Sequence, residues 1–123
     1  MTTEEPRDLA LERLYELDSR IEEVVVDDLP PRAARMVLGV SEQREMLDHK
    51  IEDASENWSI ARMPMIDRAI LRLSLWELEN EPGTPTAVIV SEAVRLAGTY
   101  STARSGSFVN GVLAALAKSV RGS

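Results

Sequence analysis

Residues 105–116 read SGSFVNGVLAAL, and this stretch decides the fold class. Val109, Val112, Leu113, Leu116, Ala117 and Val120 recur at the i, i+3, i+4, i+7 spacing of a helix with one apolar face. Asn110 and Gly111 interrupt that stripe. In a helix interior Gly costs about 1 kcal/mol relative to Ala. A helix that carries both residues has a local reason to do so: Gly permits close approach of another backbone or a ligand, and Asn supplies a donor and an acceptor.

Outward from this segment, residues 60–78 read IARMPMIDRAILRLSLWEL. Ile66, Ile70 and Leu73 form one apolar row and Leu71, Leu75 and Leu78 a second. A helix from Pro64 or Met65 to Glu79 with apolar rows on two sides belongs at the centre of a bundle. Asn80-Glu81-Pro82-Gly83 is a loop. Thr84 is expected to cap the next helix with Pro85 at its first position, and Gly98 to end it. Nearer the start of the chain, a helix is predicted over Pro6–Ser19 with Ala10, Leu14, Leu17 and Ile21 inward. A second is expected from Pro30-Pro31 to about Ser55, with Val37, Val40, Leu47 and Ile51 inward. Trp58 reads as an anchor that packs this corner onto the core. Val24-Val25-Val26 is too short to make a sheet without a partner strand. The fold class is therefore all-α, a single compact bundle of about five to seven helices in two packed halves.

Composition narrows the function. The 123 residues contain no Cys, which removes thiolate metal sites and Cys nucleophiles. No apolar run reaches the ~20 residues that cross a bilayer. The acidic start MTTEEPRDLALERL lacks the basic and apolar parts of a secretory signal, so a cytoplasmic location is expected. The formal net charge is −7, and residues 1–30, with ten acids and three bases, account for all of it. From Ser91 onward a single acid, Glu92, stands against Arg95, Arg104, Lys118 and Arg121. Only that end offers the local positive potential that nucleic acid requires. The one histidine, His49, has Glu45 and Asp53 four residues to either side, which reads as a solvated helix face rather than a metal or proton-transfer site. No phosphate loop, Ser-His-Asp set or two-His metal helix occurs. The residues point away from an enzyme and call for no cofactor or metal.

Three linked segments resemble the NusB family of bacterial transcription antitermination factors. These are Asp67–Leu78, with Trp76 where the family usually has Tyr; Pro85–Ala97, with Ser91 for the usual Asn; and Ser105–Leu113. The resemblance implies a helical adaptor that pairs with the ribosomal small-subunit protein also called NusE. That pair would bind boxA, a short single-stranded RNA element, as part of the RNA polymerase antitermination complex. Some relatives form homodimers that hide the RNA surface. Similar domains also precede some RNA methyltransferases, but no cofactor-binding βαβ pattern follows here.

Carried over residue by residue, the resemblance implies RNA contacts at Arg7, Tyr15, Tyr100, Arg104, Phe108 and Asn110. Arg7 alone fits the family's arginine-rich first helix, where Glu4 and Glu5 replace cations and should repel phosphate. Arg104 adds a positive charge where relatives usually carry acids. Phe108 is placed to stack on a base. The partner surface is implied around Glu77, Glu79 and Glu81, acids suited to a basic partner. An alternative reading is a protein-only interaction module that has lost RNA binding through its acidic first thirty residues. The connection between Arg20 and Pro31 is short for the family, so one helix is expected to be reduced or absent there.

Overall fold

The computed structural model describes residues 5–19, 23–56 and 58–122. These form six α-helices: α1 Pro6–Ser19, α2 Pro31–Glu42, α3 Arg44–Ala54, α4 Met65–Asn80, α5 Thr86–Tyr100 and α6 Ala103–Arg121. A single 3-10 turn, Ile60–Arg62, leads into α4. No strand occurs among the described residues, and Val24–Val26 are irregular. Residues 23–30 carry no helix, which agrees with a shortened connection; Ile21 lies outside the described residues.

Helix α4 is the hub, packing against α1, α2, α3, α5 and α6. Its two apolar rows explain this position, because Ile70, Leu71, Leu73 and Leu75 are all fully buried. Truncating any one of them to Ala is expected to cost about 2–5 kcal/mol. The α6 stripe closes the core with Val109, Val112, Leu113, Leu116 and Ala117, while Val120 sits at its edge, partly buried.

Four boundaries differ from the sequence reading. The helix expected to run unbroken from Pro31 to about Ser55 is two helices. They meet at Gln43, whose φ of −107° and ψ of 12° leave the helical range. Apolar periodicity continues across the break, so the stripe alone does not reveal it. Helix α5 begins at Thr86 with Pro85 as its N-cap, and no side chain caps it. The Thr84 N–H donates to the Glu81 carbonyl instead, closing the preceding turn. Gly98 does not end α5, which continues to Tyr100. Helix α6 starts at Ala103, two residues before Ser105.

Two close fits hold the bundle in register. At Gly39 on α2, an added Cβ would lie 2.2 Å from Trp76 Nε1. The indole of α4 therefore lies directly on the glycine backbone, and its N–H has no hydrogen-bond partner in the structure. Just beyond the carboxyl end of α4, Arg121 spans the α4–α5 turn. Its guanidinium donates to the carbonyls of Leu78 at 3.1 Å, Glu81 at 2.9 Å and Thr84 at 2.6 Å.

Candidate RNA interface

The expected RNA residues fall in two groups along the edge where α1, α4, α5 and α6 begin or end. Tyr100 closes α5, and two residues later α6 opens. Asp67, in the first turn of α4, is buried and accepts hydrogen bonds from Ser101 Oγ at 2.6 Å and Ser105 Oγ at 2.9 Å. This clasp ties the amino-terminal turns of α4 and α6 together. It also accounts for the serine that opens the SGSFVNG stretch: Ser105 is 3% exposed and bonds both Asp67 and the 101–102 corner. Position 105 is thus an internal fastener that the apolar pattern does not signal.

On one side of the clasp, Phe108 is partly buried against the core and meets Trp58 edge-on. The two ring centroids are 6.3 Å apart and the planes are inclined by 65°. Both rings line a cavity of about 310 Å³ together with Met63, Pro64, Arg104 and the Ser105 turn. Trp58 is not the buried anchor expected from sequence, since 53% of it is exposed. Arg104 is exposed and has no ion-pair partner among the described residues. Asn110 and Gly111 are also exposed. A Cβ at Gly111 would meet nothing within 4 Å, so the expected close packing at this glycine is absent and its backbone edges a shallow surface groove.

On the other side, Tyr15 and Tyr100 line a second groove with Leu11, Ile66, Glu12 and Glu16. The Tyr100 hydroxyl donates to Asp8 Oδ2 at 2.8 Å. Asp8 also accepts two hydrogen bonds from Arg95. Those bonds from Arg95, helped by Tyr100, hold the Asp8 carboxyl below its ordinary value of 3.8. The matching interactions raise the Arg95 guanidinium.

Arg7 and Glu77 are corrected by the structure. Read from sequence, they belong to two separate solvent-facing surfaces. In the fold they form one internal pair: Arg7 is 4% and Glu77 1% exposed. Arg7 Nη2 lies 2.9 Å from Glu77 Oε1, and Arg7 Nε donates to both carboxylate oxygens. Burial pushes the Glu77 carboxyl up, and the hydrogen bonds from Arg7 act against that rise. Glu79 and Glu81 are partly exposed but engaged, Glu79 with Lys50 and Glu81 with Arg35 at 3.1 Å.

The acidic first thirty residues also take on a different meaning. Asp18 lies against Arg68 at 2.7 Å, Arg44 at 2.9 Å and Arg72 at 3.3 Å, with its side chain 3% exposed. Asp28 pairs with Arg13. Asp8 and Asp18 are therefore neutralised within the fold and do not present free charge to a polyanion, while Asp28 is paired at the surface. The sequence count cannot show this, because Asp8 and Asp18 find partners on α4 and α5. His49 is 79% exposed beside Asp53, on a solvated face. No helix among the described residues is long and apolar enough to cross a membrane.

The sequence pattern that defines the NusB family matches residues 4–118. The chain is similar to the transcription antitermination protein NusB of Sorangium cellulosum, at 48% identity over 88 residues. That alignment covers 72% of this chain and 63% of the relative. In structure it is similar to NusB of T. maritima, with a TM-score of 0.84 and 31% identity, covering 96% of this chain and 93% of the other. It is likewise similar to a NusB chain solved with the antitermination factor NusE and double-stranded RNA. There the TM-score is 0.82 and the identity 28%, over 93% of this chain and 94% of that one. A match over residues 4–118 extends well beyond the three motifs: the chain belongs to the NusB family.

Proposed function

We propose that this chain is a transcription antitermination factor that pairs with a NusE-type ribosomal protein and holds boxA-type single-stranded RNA within the RNA polymerase antitermination complex, in the cytoplasm. One observation carries the reading. At the joined starts of α4 and α6, an exposed cation, Arg104, stands beside an aromatic-lined cavity, in a fold whose relative was solved with NusE and RNA. Proteins read single-stranded RNA by stacking unpaired bases on aromatic side chains and by placing cations along the backbone. Phe108, Tyr15 and Tyr100 supply rings, and Arg104 supplies charge.

Arg7 supports this site indirectly. Its guanidinium faces Glu77 and Glu92 inside the protein, so it fixes the start of α1 against α4 and α5 instead of reaching phosphate. For the partner surface, Glu79 and Glu81 at the end of α4 remain the acids open to a basic protein, and exchange of their internal partners would accompany docking.

Titration of boxA-type RNA with this chain, with NusE and with both together, at two salt concentrations, tests the proposal. The expected result is tight binding by the pair with a steep salt dependence, each neutralised phosphate adding roughly −0.7 to the slope. No binding to NusE would remove the proposal. Binding to NusE without RNA affinity at low salt would favour the protein-only module.

A further inference from the structure

We infer that Trp58 forms, with Phe108, the walls of a pocket for one unpaired RNA base, and that Arg104 holds a phosphate next to that base. The inference rests on the RNA-binding reading above and adds to it a residue outside the three family-like motifs.

Trp58 leaves 53% of its surface in water, more than either exposed tyrosine, at 39% for Tyr15 and 36% for Tyr100. An indole in this position contributes little to the core, yet it is held beside Phe108 at 6.3 Å. With planes inclined by 65°, the rings are far from parallel and do not occupy each other's stacking faces. Met63 and Pro64 complete the apolar lining of a cavity of about 310 Å³. That volume lies at the low end of small-ligand sites and suits a single flat group better than a helix or an extended peptide.

The electrostatics select a nucleotide. Arg104 is on the cavity wall with its charge unmatched by any described carboxylate. Asp67, the one acid lining the cavity, is buried and already accepts from two serine hydroxyls. The rim is thus cationic and the walls are aromatic, which matches a base with its adjoining phosphate.

The test uses the NusE pair and a boxA-type oligonucleotide. Trp58→Ala is expected to weaken RNA binding by roughly five- to a hundred-fold, the range for losing one stacked base, with NusE affinity unchanged. Trp58→Phe is expected to keep most of the affinity, because a phenyl ring still stacks. One abasic position in the oligonucleotide should reproduce the loss, and combining it with Trp58→Ala should add nothing further. Tryptophan fluorescence gives a second readout: Trp58 is exposed while Trp76 is 5% exposed, so RNA should quench the exposed fluorophore and leave the emission of Trp58→Ala unaltered. RNA affinity of Trp58→Ala equal to the unsubstituted pair would overturn the inference and leave the RNA-binding reading intact. A loss of NusE affinity that matches the loss of RNA affinity would assign Trp58 to the protein interface and also overturn it. An unsubstituted pair that binds no RNA would remove both.

Discussion

Arg7 and Glu77 stand 70 residues apart in sequence and meet through two hydrogen bonds of 3.0 and 3.1 Å, with almost no solvent at either side chain. This pair joins the first turn of α1 to the last turns of α4. Removing Arg7 leaves the Glu77 carboxylate buried and unmatched, so Arg7→Ala should lower stability by about 3–5 kcal/mol. Glu77→Ala should cost less, because Arg7 keeps Glu5 and Glu92 as partners. Replacing both with apolar residues of similar volume should recover most of that loss. Denaturant unfolding of the two single variants and the double variant measures this, and additive losses would show that the pair is not coupled.

The starting turn of α6 depends on one hydroxyl. Ser105→Ala removes the donor to Asp67 Oδ2 and the link to the 101–102 corner. A buried carboxylate then loses a partner, at a cost of about 1–3 kcal/mol. Because Asp67 and Ser105 both line the Trp58–Phe108 cavity, the variant should also weaken RNA binding without affecting NusE. Thermal unfolding and RNA titration read the two effects separately.

Gly39 is required by the indole above it. Gly39→Ala places a methyl 2.2 Å from Trp76 Nε1 and should destabilise by about 1–3 kcal/mol, as overpacking does. Combining it with Trp76→Phe, which removes the atoms in the way, should relieve part of the loss. A stability of Gly39→Ala equal to that of the parent would show that α2 and α4 separate freely.

The pH dependence follows from opposite shifts. Asp8 and Asp18 both titrate below their ordinary value of 3.8, Asp8 mainly through its bonds to Arg95. For Asp18, burial raises the carboxyl, and Arg68, Arg72 and Arg44 together lower it further than burial raises it. A depressed carboxyl stabilises the fold above its unfolded value, and that stability is lost as pH falls toward the folded value. Stability should therefore begin to drop near pH 3.8 and keep falling below it. Glu77, raised above 4.5 by burial, acts with the opposite sign: its contribution fades as pH rises past 4.5. Asp8→Asn should flatten the acid limb in an unfolding series taken between pH 5 and pH 2.

Arg104 should act through charge. Arg104→Ala is expected to weaken binding of all RNA sequences similarly and to reduce the salt slope by roughly 0.7. An unchanged slope would place the phosphate elsewhere.

Helical periodicity was enough to find α1, α4 and α6, because each has an apolar stripe that one chain segment reveals by itself. It could not find the break at Gln43, which depends on how α2 and α3 pack separately against α4. The candidate site was legible in part. Phe108 and Arg104 stand near the start of α6, in or beside the quoted motif, whereas Trp58, which reads from sequence as a core anchor, is half exposed. Whether an aromatic is buried depends on neighbours distant in sequence. The same limit explains Arg7 and Glu77: the family resemblance implies an RNA contact for one and a partner contact for the other, and only the meeting of α1 with α4 makes them internal. The available hint was spacing: Arg7 stands three residues before Ala10, on the inward side of α1.

The guanidinium of Arg121 satisfies carbonyls at Leu78, Glu81 and Thr84. That arrangement sets an order on biogenesis. During synthesis the turn between α4 and α5 emerges from the ribosome well before residue 121, so those carbonyls remain hydrated until the last helix has been made and has docked. Helices α1 to α5 can collapse around α4 in the meantime, but the far end of the bundle locks only as translation of this domain finishes.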